Sequence, residues 1–175
     1  MTHPDAQLSG NTISVTRVFR APRAFVYAAW TDATHLAQWF GPEVASIPEC
    51  VANARVGGRW RVVMRMPDGI DYPIDGTFVE LVPHEKIVFT MNTDRHPDAW
   101  HKMIDDARPV PTGAKGSPIT TTVLLTERDG FTTMTVIQAF DVETDAGVHY
   151  SMGARDGWGQ SFDKLERLLL PDSKR

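Results

Sequence analysis

Between residues 44 and 141 the chain runs as six short segments of strand character, most of them joined by reversals only a few residues long. No other feature of the sequence restricts the fold as tightly. The segments are 44–54, 58–66 (GRWRVVMRM), 72–82, 85–91 (EKIVFTM), 119–127 and 131–141. Pro67-Asp68-Gly69 and Pro83-His84 mark reversals, and Arg128-Asp129-Gly130 carries the Asp-Gly pair that favours a two-residue hairpin. Strands joined this tightly pair as antiparallel neighbours, because a parallel crossover needs a dozen residues or more.

The flanks supply the rest. Thr12 to Arg20 reads TISVTRVFR and is expected to be a strand, although neither of its faces is cleanly apolar. Ala21-Pro22 opens a helix with Phe25, Val26, Ala29 and Trp30 at helical spacing, and Thr31 or Asp32 can cap a second short helix that ends at Phe40 before Gly41-Pro42. The last element starts between Ala146 and Ser151 and runs to Leu170, with Ala154, Trp158, Phe162, Leu165 and Leu169 on one stripe and Pro171 as the stop. Gly153, Gly157 and Gly159 each cost a helix roughly 1 kcal/mol relative to alanine, so a close approach to the sheet or to a ligand is expected there. The order predicts one α+β domain over residues 12–170, with a curved antiparallel sheet of about seven strands, two short helices and a long C-terminal helix enclosing a cavity. Residues 1–11 and 171–175 are expected to be tails, the first of them disordered.

Composition narrows the function. Eighteen Lys and Arg face 22 Asp and Glu, a net charge of −4, which leaves no basic excess to track phosphates, so nucleic acid is not an expected partner. No apolar run approaches the roughly 18 residues of a membrane helix, and MTHPDAQLSGN lacks the regions of a secretory signal, so a cytoplasmic protein away from the membrane is expected. Cys50 stands alone, and none of His3, His35, His84, His96, His101 and His149 falls at metal-binding spacing with a third ligand. No metal or cofactor is expected. Nucleophile-elbow, phosphate-loop and dinucleotide motifs are missing as well.

Several blocks in order carry a resemblance. They are Trp30-Thr31-Asp32 leading to Gln38-Trp39-Phe40-Gly41-Pro42, then Val56-Gly57-Gly58-Arg59-Trp60-Arg61-Val62-Val63-Met64 with Pro67-Asp68-Gly69, then Gly76-Thr77-Phe78-Val79-Glu80-Leu81-Val82-Pro83 with Ile87-Val88-Phe89-Thr90, and last Gly157-Trp158 with Leu165. Over residues 12–170 the chain resembles the START-like helix-grip (SRPBCC) superfamily, in the group named after the activator of heat-shock-protein-90 ATPase. The resemblance implies a helix-grip fold and a cavity for a hydrophobic or amphipathic small molecule. The superfamily also includes cyclases, aromatases and co-chaperones, so the fold alone does not select a function.

One departure from the pattern is the connection 92–118, which holds Pro97, Pro109, Pro111 and Pro118 and is far longer than a hairpin loop. Within it Trp100, Met103, Ile104 and Ala107 make the stripe of a short helix that Asp98 could cap, so the segment is either a lid over the cavity mouth or a disordered excursion. On 58–66, Trp60, Val62, Met64 and Met66 oppose Arg59, Arg61 and Arg65, the alternation of a half-buried strand. These residues fill core or line the cavity. The same choice applies to Trp39, Tyr72, Phe78, Phe89, Met91, Trp100, Phe140, Trp158 and Phe162. Acid–base chemistry would need a polar group in an apolar cavity, and among Asp75, Glu80, His101 and His149 the two histidines are the better placed. The expected activity is binding of a small apolar or aromatic molecule. A cyclase- or hydrolase-like enzyme using the same cavity and a chaperone-interaction module are the alternatives, and a homodimer rests on the general frequency of dimers.

Overall fold

In a computed structural model, residues 5–170 are described. The first four residues and the expected tail at 171–175 lie outside them. Eight strands form one antiparallel sheet in the order β1-β2-β8-β7-β6-β5-β4-β3. In chain order the elements are β1 (Asp5–Ser9), β2 (Thr12–Phe19), α1 (Arg23–Thr31), α2 (Ala33–Trp39), β3 (Ser46–Ala52), β4 (Arg59–Arg65), β5 (Asp71–Val82), β6 (Lys86–Met91), α3 (Asp98–Asp106), β7 (Ile119–Arg128), β8 (Phe131–Ala139), α4 (Glu143–His149) and α5 (Arg155–Leu169).

The turn chemistry accounts for the register. Asp129 and Gly130 both take positive φ (53° and 79°), and Arg128 pairs with Phe131 across them, the two-residue hairpin that Asp-Gly favours. The long β5 bends the sheet: residues 71–77 pair with β4 and residues 78–82 with β6, with a register shift between Phe78 and Glu80. Gly76 on this strand cannot be replaced by a larger residue without movement, because an added Cβ would sit 1.8 Å from the Thr90 carbonyl oxygen and 2.8 Å from Trp60 Nε1. Trp60 Nε1 donates to that same carbonyl at 2.8 Å, so the indole N–H stands beside the space that a side chain at residue 76 would enter.

Three expectations need correction. The polar segment expected to be a tail contains β1, the eighth strand of a sheet expected to have about seven: Asp5 to Ser9 pair in register with Thr16 to Thr12. An edge strand satisfies its backbone whatever its side chains, and these are mostly exposed, so no alternation announces it. The C-terminal helix is broken. α4 and α5 meet at a wide turn over Tyr150–Ala154 in which Gly153 has φ 105°, a conformation that glycine reaches without strain. Asp98 sits inside the first turn of α3 after Pro97, and its side chain caps nothing. Asp32 does cap α2, accepting from the backbone N–H groups of Thr34 and His35 at 2.9 and 3.1 Å.

The mixed faces of β2 also find their reason. Ile13, Val15, Arg17 and Phe19 are all buried, and Arg17 reaches α5, donating to Asp163 Oδ1 at 2.7 Å and Glu166 Oε2 at 2.6 Å. A cation on the core face is thereby paired and fixes α5 across the sheet. Among the described residues no helix is long and apolar enough to cross a membrane.

Candidate functional site

The space between the sheet and α5 is filled at one end and open at the other. At the filled end α1 and α2 push aromatic rings against the sheet: Trp30 lies 4.7 Å from Trp39, 5.8 Å from Phe89 and 6.0 Å from Trp158, and Trp60 lies 5.1 Å from Phe89. Edge-on and tilted contacts of this kind form solid core. Beyond Trp158 the break between α4 and α5 lifts the chain off the sheet. There a cavity of about 300 Å³ opens, at the lower end of the usual size for small-molecule sites.

Each wall comes from a different element. β4, β5, β6 and β7 contribute Met64, Ile74, Met91 and Ile119; the Phe40-Gly41-Pro42 turn closes one side; and α3 covers the space with Trp100, Met103 and Ile104. The kink and α5 supply Met152, Gly153, Ala154, Gly157, Trp158 and Ser161. Among the described residues the lining contains no Asp, Glu, Lys or Arg, and its remaining polar side chains are Thr93, His96, Gln138 and His149.

Those polar groups are unequal in their satisfaction. Gln138 is buried on β8 and its Oε1 accepts from Trp158 Nε1 at 3.0 Å, while its NH₂ meets, among the described residues, only the Met91 sulfur at 3.5 Å. His96 is 7% exposed, and among the described residues neither ring nitrogen has a hydrogen-bond partner. Its ring is wedged between Trp100 and Tyr72, with centroids at 4.5 and 5.3 Å. Burial, reinforced by His101 and His149, pushes its pKa down to about 4. His149 stacks on Phe140 at 5.0 Å and near Trp100 at 5.9 Å, and burial lowers its pKa too. The polar face of the cavity is therefore neutral at ordinary pH.

A buried cation holds α3 in place. Arg108, at its C-terminal end, donates to Asp105 Oδ1 at 2.6 Å, to Asp145 Oδ1 on α4 at 2.8 Å and to the Ala114 carbonyl at 2.9 Å. Asp105 also accepts from the backbone N–H groups of Thr112 and Gly113, and these bonds with Arg108 hold its pKa down to about 2. The 108–114 stretch is thus folded onto α3, and α3 is tied to α4.

Of the residues expected from sequence to meet a ligand, Met64, Met91, Trp100 and Trp158 line the cavity. Trp39 and Phe162 are wholly buried in the core. Trp60, Phe78 and Phe89 border a minor gap in the aromatic cluster with Trp30, Leu36 and Phe40. They fall short because α2 and its Phe40 fill the sheet's concave face at that end. Phe140 lies behind His149 and borders a narrow space beneath α3, Tyr72 lies behind His96, and half-buried Met66 stands past the end of β4. Of the two histidines, His149 is in the wall, whereas His101 meets the Asp94 carbonyl at 3.2 Å outside it. Asp75 pairs with Arg61 and Glu80 with Lys86, both away from the cavity. Among the described residues no three His, Cys, Asp or Glu side chains could together hold a metal ion. Sequence reasoning passed over His96, Gln138 and Met152. Gln138 had a usable signal, since it shares the inward parity of β8 with Met134 and Val136.

Comparison with known proteins places the chain. The model of the family described as activator of Hsp90 ATPase homolog 1-like protein matches residues 20–170. The chain belongs to that family. Within this group of START-like proteins, a solved structure from Chromobacterium violaceum is 27% identical, with 93% of this chain and 99% of that one covered and a TM-score of 0.72. An NMR structure from Arthrobacter aurescens is 20% identical over 99% of both chains with a TM-score of 0.76. A Silicibacter pomeroyi protein named AHSA1 is 20% identical, covering 90% of this chain and 96% of that one, with a TM-score of 0.67. The last two show the shared fold. Comparison with curated proteins gives no match.

Proposed function

We propose that the protein binds a small hydrophobic or aromatic molecule in the cavity between the sheet, α3 and the α4–α5 kink. The observation that carries this reading is the composition of the wall: apolar side chains from six elements, the Phe40–Pro42 turn and the α4–α5 kink around about 300 Å³, with no Asp, Glu, Lys or Arg among the described residues but with buried polar groups. Family membership supports it as the general use of this fold. α3 serves as the lid, since Trp100, Met103 and Ile104 form part of the wall while Met103 is still 46% exposed at the rim. Acid–base chemistry is the weaker reading, because among the described residues no hydrogen bond to a carboxylate orients either His96 or His149.

Isothermal titration with naphthalene, paired with native mass spectrometry of the gently purified protein, tests the proposal. Saturable binding of one molecule per chain, or a co-purifying apolar compound displaced by naphthalene, is expected. A protein that carries nothing and takes up no naphthalene would overturn it.

A further inference from the structure

The wall of the cavity asks for more than an apolar filling. His96 is 7% exposed, has no hydrogen-bond partner among the described residues and borders the cavity. Buried polar groups in native proteins are nearly always satisfied, so an orphan of this kind beside a cavity needs a partner from outside the fold. A neutral imidazole offers one acceptor and one donor. Gln138 has its carbonyl oxygen engaged by Trp158, while its NH₂ finds among the described residues only a thioether sulfur, a weak acceptor.

We propose that the site selects a neutral aromatic alcohol, its hydroxyl held by the His96 imidazole with the Gln138 amide as second polar partner. This rests on the cavity being a ligand site at all. A hydroxyl both donates and accepts, and so matches an imidazole and an amide without requiring any of the three to be charged. A carboxylate would enter a wall that among the described residues has no Lys or Arg, and its available counter-charges, a protonated His96 or His149, are both opposed by burial. An ammonium would meet no carboxylate of the described residues in that wall. A plain hydrocarbon would leave His96 and the Gln138 NH₂ shut away from water without partners. Trp100 and Met103 add a flat, polarisable face for a ring.

The test measures naphthalene, 2-naphthol and 2-naphthoate by isothermal titration at neutral pH on the wild type and on His96→Leu. The expected order is 2-naphthol tighter than naphthalene by about tenfold, the worth of a buried neutral hydrogen bond, and tighter than 2-naphthoate by more. In His96→Leu the naphthol advantage should shrink to less than about threefold while naphthalene binds at least as tightly as to the wild type, which also shows that the variant has kept its fold and cavity. Equal affinity of the wild type for naphthalene and 2-naphthol would overturn the selectivity and leave the cavity reading standing. Tightest binding of 2-naphthoate would overturn it in favour of an acid-binding site. Failure of all three probes would remove the cavity reading and this inference together.

Discussion

His96 remains neutral in the wall because burial strips the hydration a cation needs, with His101 and His149 adding repulsion. Its pKa falls from about 6.5 in the unfolded chain to about 4 in the fold, so between those values the unfolded chain takes up a proton that the folded chain refuses. Stability is therefore full above pH 6.5 and declines as the pH falls towards 4, by up to about 3 kcal/mol for this residue. Urea unfolding across that window should show the decline, and His96→Leu should flatten it, leaving the smaller part that His149 contributes in the same direction. An identical pH profile in the variant would mean that His96 is hydrated and not buried. Trp158 works differently. It packs against Trp30, Phe40 and Phe162 and donates to Gln138, so Trp158→Ala should lower stability by about 3–5 kcal/mol in the same assay. Neither His96 nor Arg17 could be placed from sequence. His96 stands in a polar connection, and Tyr72 and Trp100, which bury it, meet it only once the chain is folded. Arg17 looked like an interruption of an apolar face because its two carboxylates are contributed by the last helix.

At the scale of elements, one turn signal and one of the two cap signals translated directly into structure. Asp129-Gly130 made the hairpin and Asp32 the cap, because both depend on the local backbone alone. β1 was illegible for the opposite reason, since its pairing with β2 leaves no trace in its own side chains. The Trp100–Ile104 stripe did announce α3, but the Arg108 clamp that anchors it depends on Asp145, on a different helix. Replacing Arg108 with Met would leave two largely buried carboxylates unpaired. Hydrogen exchange over residues 98–107 should then speed up by about a hundredfold relative to β7 and β8; unchanged exchange would mean that apolar packing alone seats the helix. Gly157 faces open space within the wall, with no atom of the described residues beyond its own helix and chain neighbours within 4 Å of where a Cβ would be. Gly157→Ala should raise stability by about 1 kcal/mol through helix propensity, and Gly157→Leu should abolish naphthalene uptake by filling the cavity without lowering the melting temperature.

The molecule as a whole divides along α5. One half is packed solid by rings from α1, α2 and the sheet, and the other is held open where Gly153 turns α4 away from α5. Hydrophobic periodicity could mark these aromatic residues as inward-facing, but it could not say which half each would join. That assignment depends on the helices crossing the sheet, and so on contacts distant in sequence. The methionines sample the division directly. Met64, Met91, Met103 and Met152 border the cavity, whereas Met134 is sealed in the core and Met66 stands apart from it. Carbon-13 methyl spectra of methionine-labelled protein titrated with 2-naphthol therefore test the central claim, that this interior space is a ligand site. Ring-current shifts at Met64, Met91, Met103 and Met152, with Met66 and Met134 unmoved, are the expected result. Saturable binding that left the four cavity methyls unshifted would contradict it.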